Sequence, residues 1–103
     1  MFVITQHFRK SGEEGSFYSF SADYQSHINS TYRSTNKLLD TTAEFNAVDK
    51  VLIVVNRWAS EAAFNEYKED PVVIQNLAER NAYNTANGIN MSLRATHEEA
   101  DPV

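Results

Sequence analysis

Three polar residues of this 103-residue chain have side chains suited to proton transfer or to stabilising negative charge: His7, Asn56 and Arg94. A histidine can act as a general base near neutral pH when a second group orients its ring. An asparagine amide and an arginine guanidinium can donate hydrogen bonds to an oxyanion. We take these three as candidate catalytic residues. The alternatives are that His7 is an ordinary surface or interface residue and that Arg94 forms a salt bridge.

Three further residues are candidates for substrate binding. Trp58 offers a flat surface on which an aromatic ring could stack, and its structural alternative is a core position between sheet and helix. Thr5 and Ser92 lie two residues from His7 and Arg94, on the same predicted strand faces. The spacing of His7, His27 and His97 does not match a metal-ligand motif, and the chain has no cysteine, so we expect no metal.

The elements that must position these residues follow from the hydrophobic pattern. Alternation predicts strands, and aromatic or aliphatic residues at steps of three and four predict helices. Ser60 and Asp70-Pro71 are typical helix starts, and Gly88 is typical of a left-handed helix end. The predicted strands are residues 2–9, 37–47, 51–58 and 89–96, and the predicted helices are residues 16–34, 60–69 and 70–87.

Two of these predictions bear on the site. For residues 16–34, the alternative is a short strand at residues 17–20 followed by a helix from Ser21. In the last strand, alternation predicts an inward face of Ile89, Met91, Leu93 and Ala95 and an outward face of Asn90, Ser92, Arg94 and Thr96. With His7 on the outward side of the first strand, His7 and Arg94 would share one sheet face.

The element order strand, helix, strand, strand, helix, helix, strand is that of an α+β, ferredoxin-like split βαβ fold. We predict a single domain over residues 1–96 and an acidic tail over residues 97–103. The short link between residues 47 and 51 predicts an antiparallel hairpin. Helices cover only one face of such a four-stranded sheet. The half-apolar character of the other face therefore predicts a homodimer in which two sheets pack into a barrel.

Composition excludes several classes of partner. The net charge is −5, and the nine Lys and Arg residues are scattered, so we expect neither a nucleic-acid partner nor attraction to an anionic membrane. No apolar run approaches the roughly 20 residues that span a bilayer. No signal peptide is recognisable, which favours a cytoplasmic protein.

The stretch VLIVVNRWASEAAFNEYKEDP, residues 51–71, resembles the dimeric α+β barrel proteins of the antibiotic-biosynthesis-monooxygenase-like group. The resemblance implies a cofactor-independent monooxygenase-like enzyme acting on a small aromatic or hydrophobic compound. The group's haem-degrading members carry an iron-ligating histidine where this chain has Leu77, so the resemblance implies no haem and no other cofactor. The alternative function is a non-enzymatic module that binds a small molecule or a protein.

Overall fold

The computed structural model describes residues 1–11 and 16–101. One antiparallel sheet has the strand order β2-β3-β1-β4, and the helices pack on one of its faces. This is the predicted α+β ferredoxin-like fold. Its elements are β1 (Phe2–Lys10), α1 (Ala22–Ile28) with a π-helical extension (Asn29–Arg33), β2 (Leu38–Asn46), β3 (Val51–Trp58), α2 (Glu61–Glu69), α3 (Pro71–Ala86) and β4 (Ile89–Glu98).

Side-chain caps fix the starts of the three helices. Ser60 accepts a hydrogen bond from the Ala63 N–H at 3.1 Å, and Asp70 accepts one from the Val72 N–H at 2.9 Å. Both predicted caps are confirmed. Ser21 caps α1, so the first helix begins close to the alternative start. Residues 16–20 are neither helix nor strand, and both predictions for that segment are therefore wrong.

Two strands contain one extra residue each, and these irregularities decide which side chains share a face. In β2 the register shifts between Leu38 and Asp40, and in β4 it shifts opposite the step from His7 to Phe8. The extra residue in β4 is Ser92, because Met91 pairs with Phe8 and Leu93 pairs with His7. Beyond a β-bulge the side chains still alternate, but each one lies on the sheet face opposite to the one that strict alternation predicts.

The predicted faces of the last strand are consequently wrong beyond Met91. Arg94 pairs with Gln6 and shares its face, which is the face covered by the helices. Leu93 and Ala95 pair with His7 and Thr5 on the opposite face. A strict period of two cannot reveal this switch, since a bulge adds a residue without a distinct hydrophobic signature.

The core lies between the sheet and the three helices. Its buried side chains are contributed by the covered sheet face and by every helix: Ile4, Tyr24, Ile28, Tyr32, Leu38, Trp58, Ala63, Phe64 and Val73. Among the described residues, no helix covers the other face, which we call the open face and which includes Val3, Thr5, His7, Ile53, Val55, Arg57, Leu93 and Ala95. Dimerisation through this face stays a prediction.

The last strand is longer than the sequence pattern indicated. β4 runs through Glu98, two residues beyond the predicted end of the last strand. The Glu99 N–H then donates to the Met1 carbonyl at 3.0 Å, and the Arg57 Nε donates to the Glu99 carboxylate at 3.0 Å. Residues 102–103 of the predicted tail lie outside the described residues. Within the described part of the chain, no helix is long and apolar enough to cross a membrane.

Candidate functional site

A cavity of about 480 Å³ lies between the covered sheet face and the helices. All three helices and all four strands contribute to its lining, together with the segment before α1. Its walls are mainly aromatic and aliphatic. The aromatic lining residues are Phe8, Phe17, Tyr18, Phe20, Tyr24, Trp58, Phe64 and Tyr67, and the polar ones are Gln6, Gln25, Asn29, Arg33, Thr41, Asn56, Lys68, Arg80, Asn84 and Arg94.

Asn56 presents a hydrogen-bond donor on the sheet side of the cavity. The Thr41 hydroxyl donates to the Asn56 Oδ1 at 2.8 Å, and the Arg33 Nη2 donates to the Thr41 Oγ1 at 3.1 Å. This chain of bonds fixes the amide orientation by occupying its oxygen. The Asn56 Nδ2 has no partner among the described residues, so it is left to donate to a bound molecule.

Trp58 is primarily a core residue. Its side chain is 2% exposed, and its ring packs against the rings of Tyr32, Phe64 and Tyr67 at centroid distances of 5.8, 5.8 and 4.8 Å. It also contributes to the cavity lining. The Trp58 ring therefore packs in the core and also faces the cavity. Replacing it would disturb both the core packing and the cavity wall.

Two tyrosine hydroxyls meet at the cavity wall. The Tyr24 and Tyr67 oxygens are 2.7 Å apart, and either can donate to the other. Burial raises the pKa of both phenols above the ordinary value, so both are neutral at physiological pH. Because one proton bridges the pair, the second hydroxyl proton remains for donation to a bound molecule.

The six predicted site residues divide into two groups. Asn56, Trp58 and Arg94 line the cavity. Thr5 and His7 lie on the open face, where they pair with Ala95 and Leu93.

Ser92 is the bulge residue, and its exposed hydroxyl donates to the His7 carbonyl at 3.4 Å. The expectation that His7 and Arg94 share a face is wrong, because this bulge turns Arg94 toward the helices.

Arg80 and Asn84 also line the cavity, although neither was among the predicted site residues. They follow Val73 and Leu77 along α3 at steps of three and four, so they continue the buried stripe of that helix. The sequence feature that could have identified them is the presence of polar residues on an otherwise apolar helical stripe.

A second polar cluster lies outside the cavity lining and serves the fold. The His27 Nε2 lies 2.6 Å from the Asp70 Oδ2, and the Tyr32 hydroxyl donates to the same oxygen at 2.7 Å. Burial raises the pKa of Asp70, but the hydrogen bonds from His27, Tyr32 and the Val72 N–H outweigh burial and hold this pKa below its ordinary value.

The cavity can bind and polarise a ligand, but its described lining includes no Asp, Glu or His. Its polar groups are amides, hydroxyls and cations, all of which can donate hydrogen bonds to a negatively charged oxygen. Within the described residues, no group of three His, Cys, Asp or Glu side chains could hold a metal ion.

No protein-family model and no curated protein matches the chain. Among solved structures, a candidate antibiotic biosynthesis monooxygenase from Deinococcus radiodurans is similar, with a TM-score of 0.59 at 11% identity over 100% of this chain and 96% of that one. Rv0793 from Mycobacterium tuberculosis is also similar, with a TM-score of 0.55 at 12% identity over 99% of this chain and 98% of that one. The architectural resemblance to antibiotic biosynthesis monooxygenase-like proteins is therefore confirmed, and at these identities it establishes the fold.

Proposed function

We propose that this protein is a homodimer that binds a small aromatic compound in the cavity and oxygenates it as a cofactor-independent monooxygenase. The observation that carries the proposal is the cavity itself, walled by aromatic rings and closed on one side by the sheet. Its volume of about 480 Å³ lies within the range of about 300–1,000 Å³ that is usual for small-molecule sites. The similarity to a candidate monooxygenase supports the reaction class by analogy of fold.

Oxygenation without a cofactor requires that the substrate itself supply the electrons. A phenol meets this requirement: the phenol and O₂ give a quinone and water. One oxygen atom enters the ring as a new carbonyl, the O–O bond breaks, and the second oxygen leaves as water with the two hydrogens lost from the phenol. The Asn56 Nδ2 and the Arg94 guanidinium would donate hydrogen bonds to the oxygen that becomes negatively charged as O₂ adds to the ring, and the aromatic walls would exclude water.

One observation favours a second candidate, a binding protein without catalytic activity. The described cavity lining contains no carboxylate and no imidazole to take the phenol proton. An enzyme of this kind would have to release that proton to solvent or accept its substrate already ionised. A protein that only binds an aromatic compound has no such requirement.

The experiment combines ligand binding with oxygen consumption. Naphthols and hydroquinones are screened for thermal stabilisation of the wild-type protein, and each stabilising compound is tested for O₂ uptake with product mass determination. Asn56→Ala and Arg94→Gln should each lower kcat/KM by about tenfold or more, because each removes a hydrogen bond to a charged oxygen. Arg9→Gln, which removes a charge from an exposed position outside the cavity lining, is the matched control.

The outcomes separate the two candidates. O₂ uptake with gain of one oxygen atom supports the enzyme, whereas stabilisation without O₂ uptake supports the binding protein. If no aromatic compound stabilises the wild-type protein, the cavity is not a site for this class of ligand. If His7→Ala abolishes binding while Asn56→Ala does not, the ligand binds on the open face instead.

A further inference from the structure

We infer that the ligand of this cavity is an organic anion, an aromatic compound bearing a carboxylate or phenolate group, and that Arg80 pairs with its charge. This inference rests on the proposed function in that it takes the cavity as the ligand site. It adds the charge class of the ligand and a specificity residue on α3. The argument starts from how the charges of the chain are distributed.

The cavity is positively charged in a protein that is acidic as a whole. The chain carries 14 Asp and Glu residues against nine Lys and Arg, for a net charge of −5. The described cavity lining nevertheless contains four cations, Arg33, Lys68, Arg80 and Arg94, and no carboxylate. A cleft lined by one sign of charge attracts the opposite sign, and apolar walls concentrate that field.

Other basic residues of the chain do have carboxylate partners. Lys37 pairs with Glu66 at 2.6 Å, and Arg57 pairs with Glu99 at 3.0 Å. By contrast, neither Arg80 nor Arg94 has a carboxylate within salt-bridge distance among the described residues. No carboxylate of the described residues therefore neutralises Arg80 or Arg94, which leaves their charge available to a ligand.

Arg80 is the cation with the greatest need for a counter-ion. Its guanidinium is half-buried and lies 5.5 Å from the centroid of the Phe8 ring. Its Nε and Nη2 both donate to one acceptor, the Asn81 Oδ1, at 3.3 and 3.1 Å. Burial lowers the pKa of Arg80, as expected for a desolvated cation. An anion in the cavity would offset this loss of solvation.

The neighbours of Arg80 complete a site for an anionic oxygen. The guanidinium lies within electrostatic range of the Tyr24 and Tyr67 hydroxyls, whose hydrogen-bonded pair holds one further donatable proton. Arg94 lies 6.0 Å from the Phe64 ring centroid on the opposite, sheet-borne side of the cavity. The ligand charge would thus lie toward Arg80 and the tyrosine pair, with the aromatic body against the remaining rings.

The test uses three probes of one shape: naphthalene-2-carboxylate, naphthalene-2-carboxamide and 2-naphthol. Isothermal titration of the wild-type protein should give at least about tenfold tighter binding of the carboxylate than of the carboxamide. The affinity for the carboxylate should fall as salt is added, because salt screens charge attraction. An affinity for 2-naphthol that rises with pH, as the naphtholate forms, would identify phenolate as a second acceptable anion.

Arg80→Gln should lower the affinity for the carboxylate about tenfold and change that for the carboxamide less than twofold. Arg80→Lys, which keeps the charge, should retain most of the discrimination, and Arg9→Gln is the matched control for loss of one positive charge. Circular dichroism and thermal melting of each variant confirm that it folds.

Equal affinities of the wild-type protein for carboxylate and carboxamide overturn the anion inference and leave the proposed function standing. Failure of all three probes to bind overturns both. Preference for the carboxylate that persists in Arg80→Gln overturns the role of Arg80.

Discussion

At the scale of single residues, Asp70 joins two helices through one carboxylate. Its Oδ1 accepts the Val72 N–H at the start of α3, and its Oδ2 accepts the buried Tyr32 hydroxyl from the π-helical extension of α1. The His27 imidazole contacts the same Oδ2 from α1 itself. One short side chain therefore both caps α3 and holds the first helix against it.

Asp70→Asn should destabilise the protein by about 1–3 kcal/mol, because charge-assisted bonds are lost while asparagine preserves the helix cap. The folded-state pKa of Asp70 is below 3.8, so its contribution is present above that pH and is lost as pH falls through the folded value. The difference in free energy of unfolding between wild type and variant, measured by urea unfolding, should therefore narrow on acidification. Glu66→Gln, which breaks an exposed pair with Lys37, is the control, and a pH-independent gap would contradict the prediction.

The Tyr24–Tyr67 pair makes a second residue-scale prediction, at alkaline pH. Burial raises the pKa of both phenols, so their contribution to stability is complete below the unfolded value of 10 and declines as pH rises above it. In guanidinium unfolding, wild type should lose more stability above pH 10 than the double variant Tyr24→Phe/Tyr67→Phe, which has no hydroxyls there to ionise. Equal losses would show that the pair is not protected from ionisation.

At the scale of elements, features governed by neighbours in sequence were predictable. The hairpin between β2 and β3, the caps at Ser60 and Asp70, and the turn at Gly88 each depend on a few consecutive residues. The bulge at Ser92 was not predictable, because it depends on how β4 pairs with β1. That single residue turns Arg94 into the cavity, on the sheet face opposite to that of His7.

The cavity charges were unpredictable for a related reason. Arg33, Lys68, Arg80 and Arg94 come from four different elements and are far apart in sequence. Scattered basic residues are usually interpreted as a solvated surface, and only the packed fold brings these four around one space. Asn56 and Trp58 were site candidates because of their residue types, and the alternation of one clear strand, β3, predicted that they share a face.

The turn between α3 and β4 makes an element-scale prediction. Gly88 has a φ of +65°, and a Cβ at this position would lie 2.2 Å from the Ser11 Oγ. Gly88→Ala should therefore cost about 1–2 kcal/mol for the left-handed backbone, plus the clash. In urea unfolding, the double variant Gly88→Ala/Ser11→Ala should regain the stability lost to the clash but not the stability lost to the left-handed backbone. Full recovery in the double variant would show that backbone strain is negligible here.

At the scale of the whole molecule, the sheet has two dissimilar faces. The covered face holds the core and the cavity, whereas the open face combines the aliphatic side chains of Ile53, Val55 and Leu93 with polar ones. Leu93 is 42% exposed there because the Ser92 bulge turns it away from the helices. An uncovered apolar sheet face in so small a domain is the expected site of self-association.

If two copies pair through their open faces, a charge at the centre of that contact should separate them. Leu93→Glu should convert a dimer into a monomer at micromolar concentration, measured by light scattering, because two buried carboxylates would face an apolar partner surface. Ile74→Glu is the matched control: Ile74 is 53% exposed on α3, outside the open face, and its substitution should leave the dimer intact. A wild-type monomer would remove the barrel from the proposed function, and a Leu93→Glu dimer would place the interface elsewhere on the molecule.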